Sequence, residues 1–127
     1  MSVIVARDVE ECWVLTGQRR GGVWMLRRRR YSVGEPGSVA FDASWVLGRE
    51  ESCGDVRGFL HTHPTSSASP SRRDLRTMRA WTGSFGKPLL CLIAARRRIA
   101  GYVFDGKDRY KVDRIVHFTR GITVVVE

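Results

Sequence analysis

Two histidines one residue apart, His61 and His63, close an apolar run, and Asp74 follows at the start of a segment that reads as a helix. In Gly58-Phe59-Leu60-His61-Thr62-His63-Pro64 the stretch from Val56 to Leu60 reads as a short strand. If extended geometry persists through His63, alternate side chains face the same way, so both imidazoles can reach one metal ion. Asp74 then supplies an oxygen. Two neutral nitrogens and one carboxylate suit a zinc ion that keeps a further position for water, the catalytic rather than the structural arrangement. The chain holds 3 histidines in all, so two of them standing here is informative. The same residues also have a conformational reading. Ser71-x-x-Asp74 is a capping box, with Ser71 at the N-cap and Asp74 facing back to it. The two readings are compatible, because a helix starting there holds Asp74 at a fixed place beside the histidines.

His61-Thr62-His63-Pro64, then Ser71 seven positions after Pro64, then Ser71-x-x-Asp74, resembles the signature of the JAMM (MPN+) zinc metalloproteases. That signature reads His-x-His-Pro, a short loop, then Ser-x-x-Asp. It is accompanied by an upstream Glu, typically within Glu-x-x-Gly-x-Leu-x-Gly. Here Glu10-Glu11-Cys12-Trp13-Val14-Leu15-Thr16-Gly17 matches at the Glu, the Leu and the last Gly, with Trp13 where a Gly is usual. Spacing selects Glu10 over Glu11, and the two must face opposite ways in an extended strand. The resemblance covers roughly residues 10 to 105. Two features depart from the family pattern. Trp13 puts bulk near the strand that carries the base. The helix that usually precedes the Glu is absent or replaced, since only the first nine residues precede Glu10 and Val3 to Ala6 reads as a strand.

The resemblance implies an α/β, cytidine-deaminase-like JAMM/MPN fold, a central mixed β-sheet with few flanking helices. It implies one zinc ion per chain on His61, His63 and Asp74, with Glu10 and Ser71 as the catalytic residues. Zinc lowers the pKa of bound water and polarises a substrate carbonyl. Glu10 accepts the water's proton and hands it to the leaving amine, and Ser71 Oγ donates a hydrogen bond to the developing oxyanion. The bond cleaved is a peptide or isopeptide bond after the C-terminal glycine tail of a ubiquitin-like or sulfur-carrier protein. Such an extended tail can add as a strand beside the site. The stretch between Asp74 and Pro88 is short and mostly helical, so a long second specificity insertion is missing, while Tyr31 to Gly54 can hold a short first one. This trimmed form resembles bacterial and archaeal members, some of which work beside E1-like and E2-like conjugation proteins.

Other His-x-His families do not fit. A metallo-β-lactamase would place an Asp where Thr65 stands, and a cupin would place a Glu within the stretch Thr65 to Ser69, which has none. An amidohydrolase barrel takes about 250 residues. This chain has 127.

Length and composition bound the rest. One domain over residues 1–127 can bury roughly two-thirds of its unfolded surface, enough for a core without staples. No run approaches the ~20 apolar residues of a membrane span, and the N-terminus lacks the charged start and apolar core of a signal peptide. Cys12, Cys53 and Cys91 show no metal-finger spacing, and Cys12 and Cys91 sit in apolar runs as expected of buried thiols. A reducing cytoplasm is the expected location. The net charge of +9 is almost wholly arginine, since Lys87, Lys107 and Lys111 are the only lysines among 22 basic residues. Runs at Arg27–Arg30 and Arg96–Arg98 raise a nucleic-acid-binding alternative. A strand there would send alternate arginines to opposite faces, and no interleaved aromatic platform accompanies them. A second alternative is an MPN-type scaffold that has lost activity, against which the intact Glu10, His61, His63 and Asp74 stand.

Patterning predicts strands at 3–6, 12–18, 23–30 and 38–41, with Gly34-Glu35-Pro36-Gly37 as a turn between the last two. Asp42 is expected to cap a short helix over 43–52, ahead of the histidine-bearing strand at 56–61. The strongest helix is expected at 71–82, where Leu75, Met78 and Trp81 make one apolar face. Strands at 89–95 and 99–104, a hairpin at Asp105-Gly106 into 109–113, and a last strand at 122–126 complete the reading.

Overall fold

The structure, a computed structural model, describes residues 10–34, 41–64, 67–106, 108–117 and 121–126. The strand expected at 3–6, and all but Phe41 of the one expected at 38–41, lie outside these residues. Eight strands form one sheet in the order β6-β5-β4-β3-β1-β2-β8-β7. They are β1 (Glu10–Arg20), β2 (Val23–Gly34), β3 (Val56–Thr62), β4 (Leu89–Ala94), β5 (Ile99–Asp105), β6 (Asp108–Lys111), β7 (Arg114–His117) and β8 (Ile122–Val125). Two helices are described, α1 (Ala43–Cys53) and α2 (Arg72–Phe85).

The sheet is mixed because α2 carries the chain from β3 to β4 as a parallel crossover, while the other pairings are antiparallel. This puts β3 in the interior of the sheet, with hydrophobic residues on both of its faces. Gly58 is required there. A Cβ at this position would stand 2.2 Å from the Leu90 carbonyl oxygen of β4, and its φ of +159° lies where side chains are rarely found.

Each face of the sheet has its own core. Val14, Phe59, Cys91, Ile93 and Phe104 pack with Met78 of α2 and Val46 of α1. On the other face Leu15, Trp24, Leu60, Leu92, Ile122 and Val124 pack with one another. Among the described residues no helix closes that second face, and the sheet curls to cover it. β6 and β7 are consecutive in sequence yet stand at opposite ends of the strand order. The link between them is fastened by Val112 N–H to the Gly101 carbonyl and Asp113 N–H to the Val125 carbonyl.

Both helices have sequence-encoded ends. Asp42 caps α1 by accepting from the Trp45 N–H at 3.1 Å, as expected, and Gly54 ends it in the left-handed conformation. Arg49–Asp55 and Lys87–Glu50 ion pairs, both 2.7 Å, moor the end of α1 to the start of β3 and to the approach to β4. Ser71 caps α2, Gly86 ends it, and Leu75, Met78 and Trp81 pack on the first core as the spacing predicts. The helix runs on to Phe85 because Gly86, not Thr82, provides the left-handed stop.

Two expectations are corrected. Phe41 is not strand; its ring packs on Phe59 at 4.5 Å. The segment 109–113 is not one strand, since pairing stops at Lys111, the chain crosses between sheet ends, and Arg114–His117 forms an edge strand that the patterning does not predict. A four-residue, half-exposed edge strand carries too little alternation to be read from sequence.

Candidate metal centre

β3 delivers both histidines. His61 lies within the strand and His63 just beyond it, where the His63 N–H still donates to the Ala94 carbonyl of β4 at 2.9 Å. Extended geometry therefore persists through His63, and the two rings face the same way. Their Nε2 atoms are 3.0 Å apart. Asp74, on the first turn of α2, puts Oδ1 3.2 Å from His61 Nε2 and Oδ2 3.2 Å from His63 Nε2. One ligand atom from each residue falls within 4.8 Å of the others. The group is buried, with His61 2 % and Asp74 4 % exposed.

The capping box and the triad use the same carboxylate. Asp74 Oδ2 accepts from the Ser71 N–H at 2.8 Å, and Ser71 Oγ accepts from the Asp74 N–H at 3.1 Å. The helix start thus fixes the angle at which the carboxylate meets the histidines. Ser71 itself is exposed, and a hydroxyl that accepts one bond still has a hydrogen to give.

Glu10 begins β1. Two residues on, Cys12 stands directly opposite His61 in the antiparallel β1–β3 pair, so Glu10, Cys12 and His61 share a face. Glu10 is buried, and its Oε2 has no hydrogen-bond partner. Glu11 belongs to the opposite face, and its backbone N–H donates to Thr62 Oγ1 at 2.8 Å. Trp13 also faces away from the histidines. It packs against the second core, 5.3 Å from the Tyr31 ring and beneath the Arg28 guanidinium. Its bulk therefore does not enter the site. The sequence gives no sign of three further neighbours: the Ser67 carbonyl 3.1 Å from His63 Nδ1, the Phe41 ring edge-on to His61, and Cys12. They arise from loop geometry and strand register.

Burial raises the Glu10 pKa above the ordinary carboxylate value, against the pull of His61 and His63. The bond that His63 gives to the Asp74 carboxylate outweighs burial and raises the His63 pKa. Burial pushes the Asp74 carboxyl up, but the bonds from His61, His63 and the Ser71 N–H overcome it and hold the group well below its usual range. Asp74 is therefore an anion.

These residues fit a divalent metal. Nitrogens held about 2.0–2.1 Å from one tetrahedral ion stand about 3.3 Å apart, so the separations here need only tenths of an ångström of adjustment. His63 Nδ1 against the Ser67 carbonyl fixes the tautomer that turns the Nε2 lone pair inward. Two imidazoles and one carboxylate suit zinc and its neighbours rather than calcium or magnesium. A wider cleft of about 560 Å³ opens elsewhere on β1, β2 and β8, past Met25, Arg27, Arg29 and Thr123, and no site residue lines it.

A curled mixed sheet with a two-histidine strand and a helix-borne carboxylate defines a JAB/MPN-type domain with a potential metal site. The family model of prokaryotic homologs of the JAB domain matches residues 6–109, and the chain belongs to that family. A search of curated proteins gave no match. The solution structure of protein DSY2949 from Desulfitobacterium hafniense is similar at 18% identity, covering 84% of this chain and 77% of that one, with a TM-score of 0.47. The JAB family includes metallopeptidases, and His61, His63 and Asp74 can hold a metal ion here.

Proposed function

We propose that this chain is a zinc metallopeptidase that hydrolyses the amide bond after the C-terminal glycine tail of a ubiquitin-like or sulfur-carrier protein, acting in the cytoplasm. The observation that carries the reading is the buried convergence of His61, His63 and Asp74, with Glu10, whose Oε2 has no hydrogen-bond partner, on the same face. A structural zinc site would close the coordination shell with a fourth protein ligand. Among the described residues only these three converge closely enough.

His61, His63 and Asp74 would hold the zinc, which when bound supplies Lewis acidity toward a carbonyl and toward a water. Glu10 takes a proton from the attacking water, whose oxygen bonds to the carbonyl carbon. When the C–N bond breaks, Glu10 returns that proton to the leaving amine. Burial makes Glu10 the stronger base, since it raises the carboxyl pKa toward the working pH. Ser71 gives its free hydroxyl hydrogen to the developing oxyanion while its oxygen keeps the cap on α2. Asp74 stays ionised and completes the protein ligand set beside the two imidazoles.

Strand addition by the substrate tail needs an edge other than β1 or β3. Both are paired on either side, and the described sheet ends are β6 and β7. A conjugation system with E1-like and E2-like proteins is the proposed setting. The reading is tested with a ubiquitin-like protein fused through its glycine tail to a reporter. Cleavage that needs metal and is lost in Glu10→Gln is the expected result. Metal-loaded, folded protein that leaves peptide and isopeptide fusions intact would contradict it.

A further inference from the structure

His61 has two ring nitrogens with different surroundings. Nε2 faces His63 and Asp74. When Nε2 binds a metal, Nδ1 must carry the ring proton. Nδ1 is buried and has no hydrogen-bond partner, whereas the corresponding atom of His63 lies against the Ser67 carbonyl. Metal-bound histidines almost always donate this second N–H, which sets ring orientation and ligand basicity. The His61 side of the centre therefore lacks a direct acceptor.

A cavity of about 10 Å³ adjoins His61, room for about one water. Phe41, Phe59 and Met78 make apolar walls, while Asp74 and Thr77 also line it. Thr77 is one turn beyond Asp74 on α2, on the same helix face. Thr82, later on that helix, gives its hydroxyl to the Met78 and Arg79 carbonyls. Among the described residues, no hydrogen bond of this kind is seen for the Thr77 hydroxyl. Apolar walls alone would keep a small cavity dry, but His61, Thr77 and Asp74 are polar residues of its lining, and a buried water needs two to four polar partners.

We infer that Thr77 is a positioning residue for the metal centre: one water in this cavity accepts from His61 Nδ1–H and donates to the Thr77 hydroxyl oxygen, which holds the ring with Nε2 toward the metal. The inference rests on the zinc reading above. It assigns Thr77 no contact with substrate. Thr77→Val keeps the shape of the side chain and removes the hydroxyl, and Thr77→Ser restores it.

Zinc affinity measured by competition with a chromophoric chelator is the test. The parent should bind one zinc, Thr77→Val should bind about 10–100-fold more weakly, and Thr77→Ser should stay within a few-fold of the parent. Thr77→Ala, expected to weaken binding likewise, guards against a packing artefact in the valine variant. In zinc-loaded protein with 15N-labelled histidine, the His61 Nδ1 proton should exchange slowly in the parent and Thr77→Ser, and faster in Thr77→Val. Folded valine and alanine variants that bind zinc as tightly as the parent, with unchanged exchange, would overturn the role of Thr77 and leave the metal centre standing. A parent that binds no zinc would overturn both.

Discussion

At the scale of single residues, two side chains carry demands that substitutions can separate. Glu10→Gln keeps the size of the side chain and removes the base, so cleavage of a tail fusion should fall by about 10²–10⁴-fold with zinc content unchanged. Full activity in Glu10→Gln together with its loss in Glu11→Gln would assign the role to the neighbour, which lies on the other face of β1. Ser71 serves both helix and reaction. As a cap alone, its replacement by Ala costs about 0.5–2 kcal/mol with a proportionate change in activity; as an oxyanion donor, it costs about 10²–10³ in turnover. Ser71→Asn still caps, so a stable variant with low kcat is expected, and near-parental turnover would leave Ser71 a cap only. Protons compete with the metal at His63. Its pKa is raised above 6.5 by Asp74, so the protonated form persists to higher pH than in a free imidazole. Zinc affinity should therefore fall with decreasing pH, beginning above that value, and rise to a plateau on the alkaline side. Chelator competition across about pH 5.5–8 measures this. The three positions that can hold a metal were legible in sequence because strand parity and a capping box are short-range rules. Cys12 and the Ser67 carbonyl were not, since register between strands and loop closure bring them near the histidines, and Thr77 has no motif of its own although helix spacing sets it beside Asp74.

At the scale of elements, β3 and α2 set the centre, and each depends on one local feature. Gly58 lets β3 approach β4, and an added Cβ would meet the Leu90 carbonyl oxygen at 2.2 Å. Gly58→Ala must push the parallel pair apart close to His61. A loss of about 1–3 kcal/mol or more is expected in urea denaturation, with zinc affinity lowered as well. Unchanged stability would mean that the two strands are not packed this closely. For α2, the Ser71–Asp74 box, the apolar face and the Gly86 stop act within one turn or one face, which is why the sequence predicts the helix to within a few residues. The sheet was less legible. The strands of the center announce themselves by apolar content, but β7 is short and half-exposed, and the order that brings β1 beside β3 is set by tertiary pairing.

At the scale of the whole molecule, burial and charge divide the labour. The histidine-bearing face is covered by helices and buries His61, Asp74 and Glu10, while the opposite face closes by curling. Among the described residues, no helix is long and apolar enough to cross a membrane. The arginines do not form one stripe: Arg29 donates to Thr16 on the face of Arg27, whereas Arg28 lies over Trp13 on the other, and Arg30 pairs with Asp42. Binding to the folded state alone should also make stability depend on metal, by about 2.7 kcal/mol when free metal is 100 times its Kd. The measurement that bears most directly on the central claim is the zinc stoichiometry of protein purified without chelator, compared with His61→Ala, His63→Ala and Asp74→Ala. One zinc per chain in the parent, and markedly less in each variant while folded, is the predicted result. A folded parent that takes up no zinc even when it is supplied, or variants that keep a full complement, would contradict it.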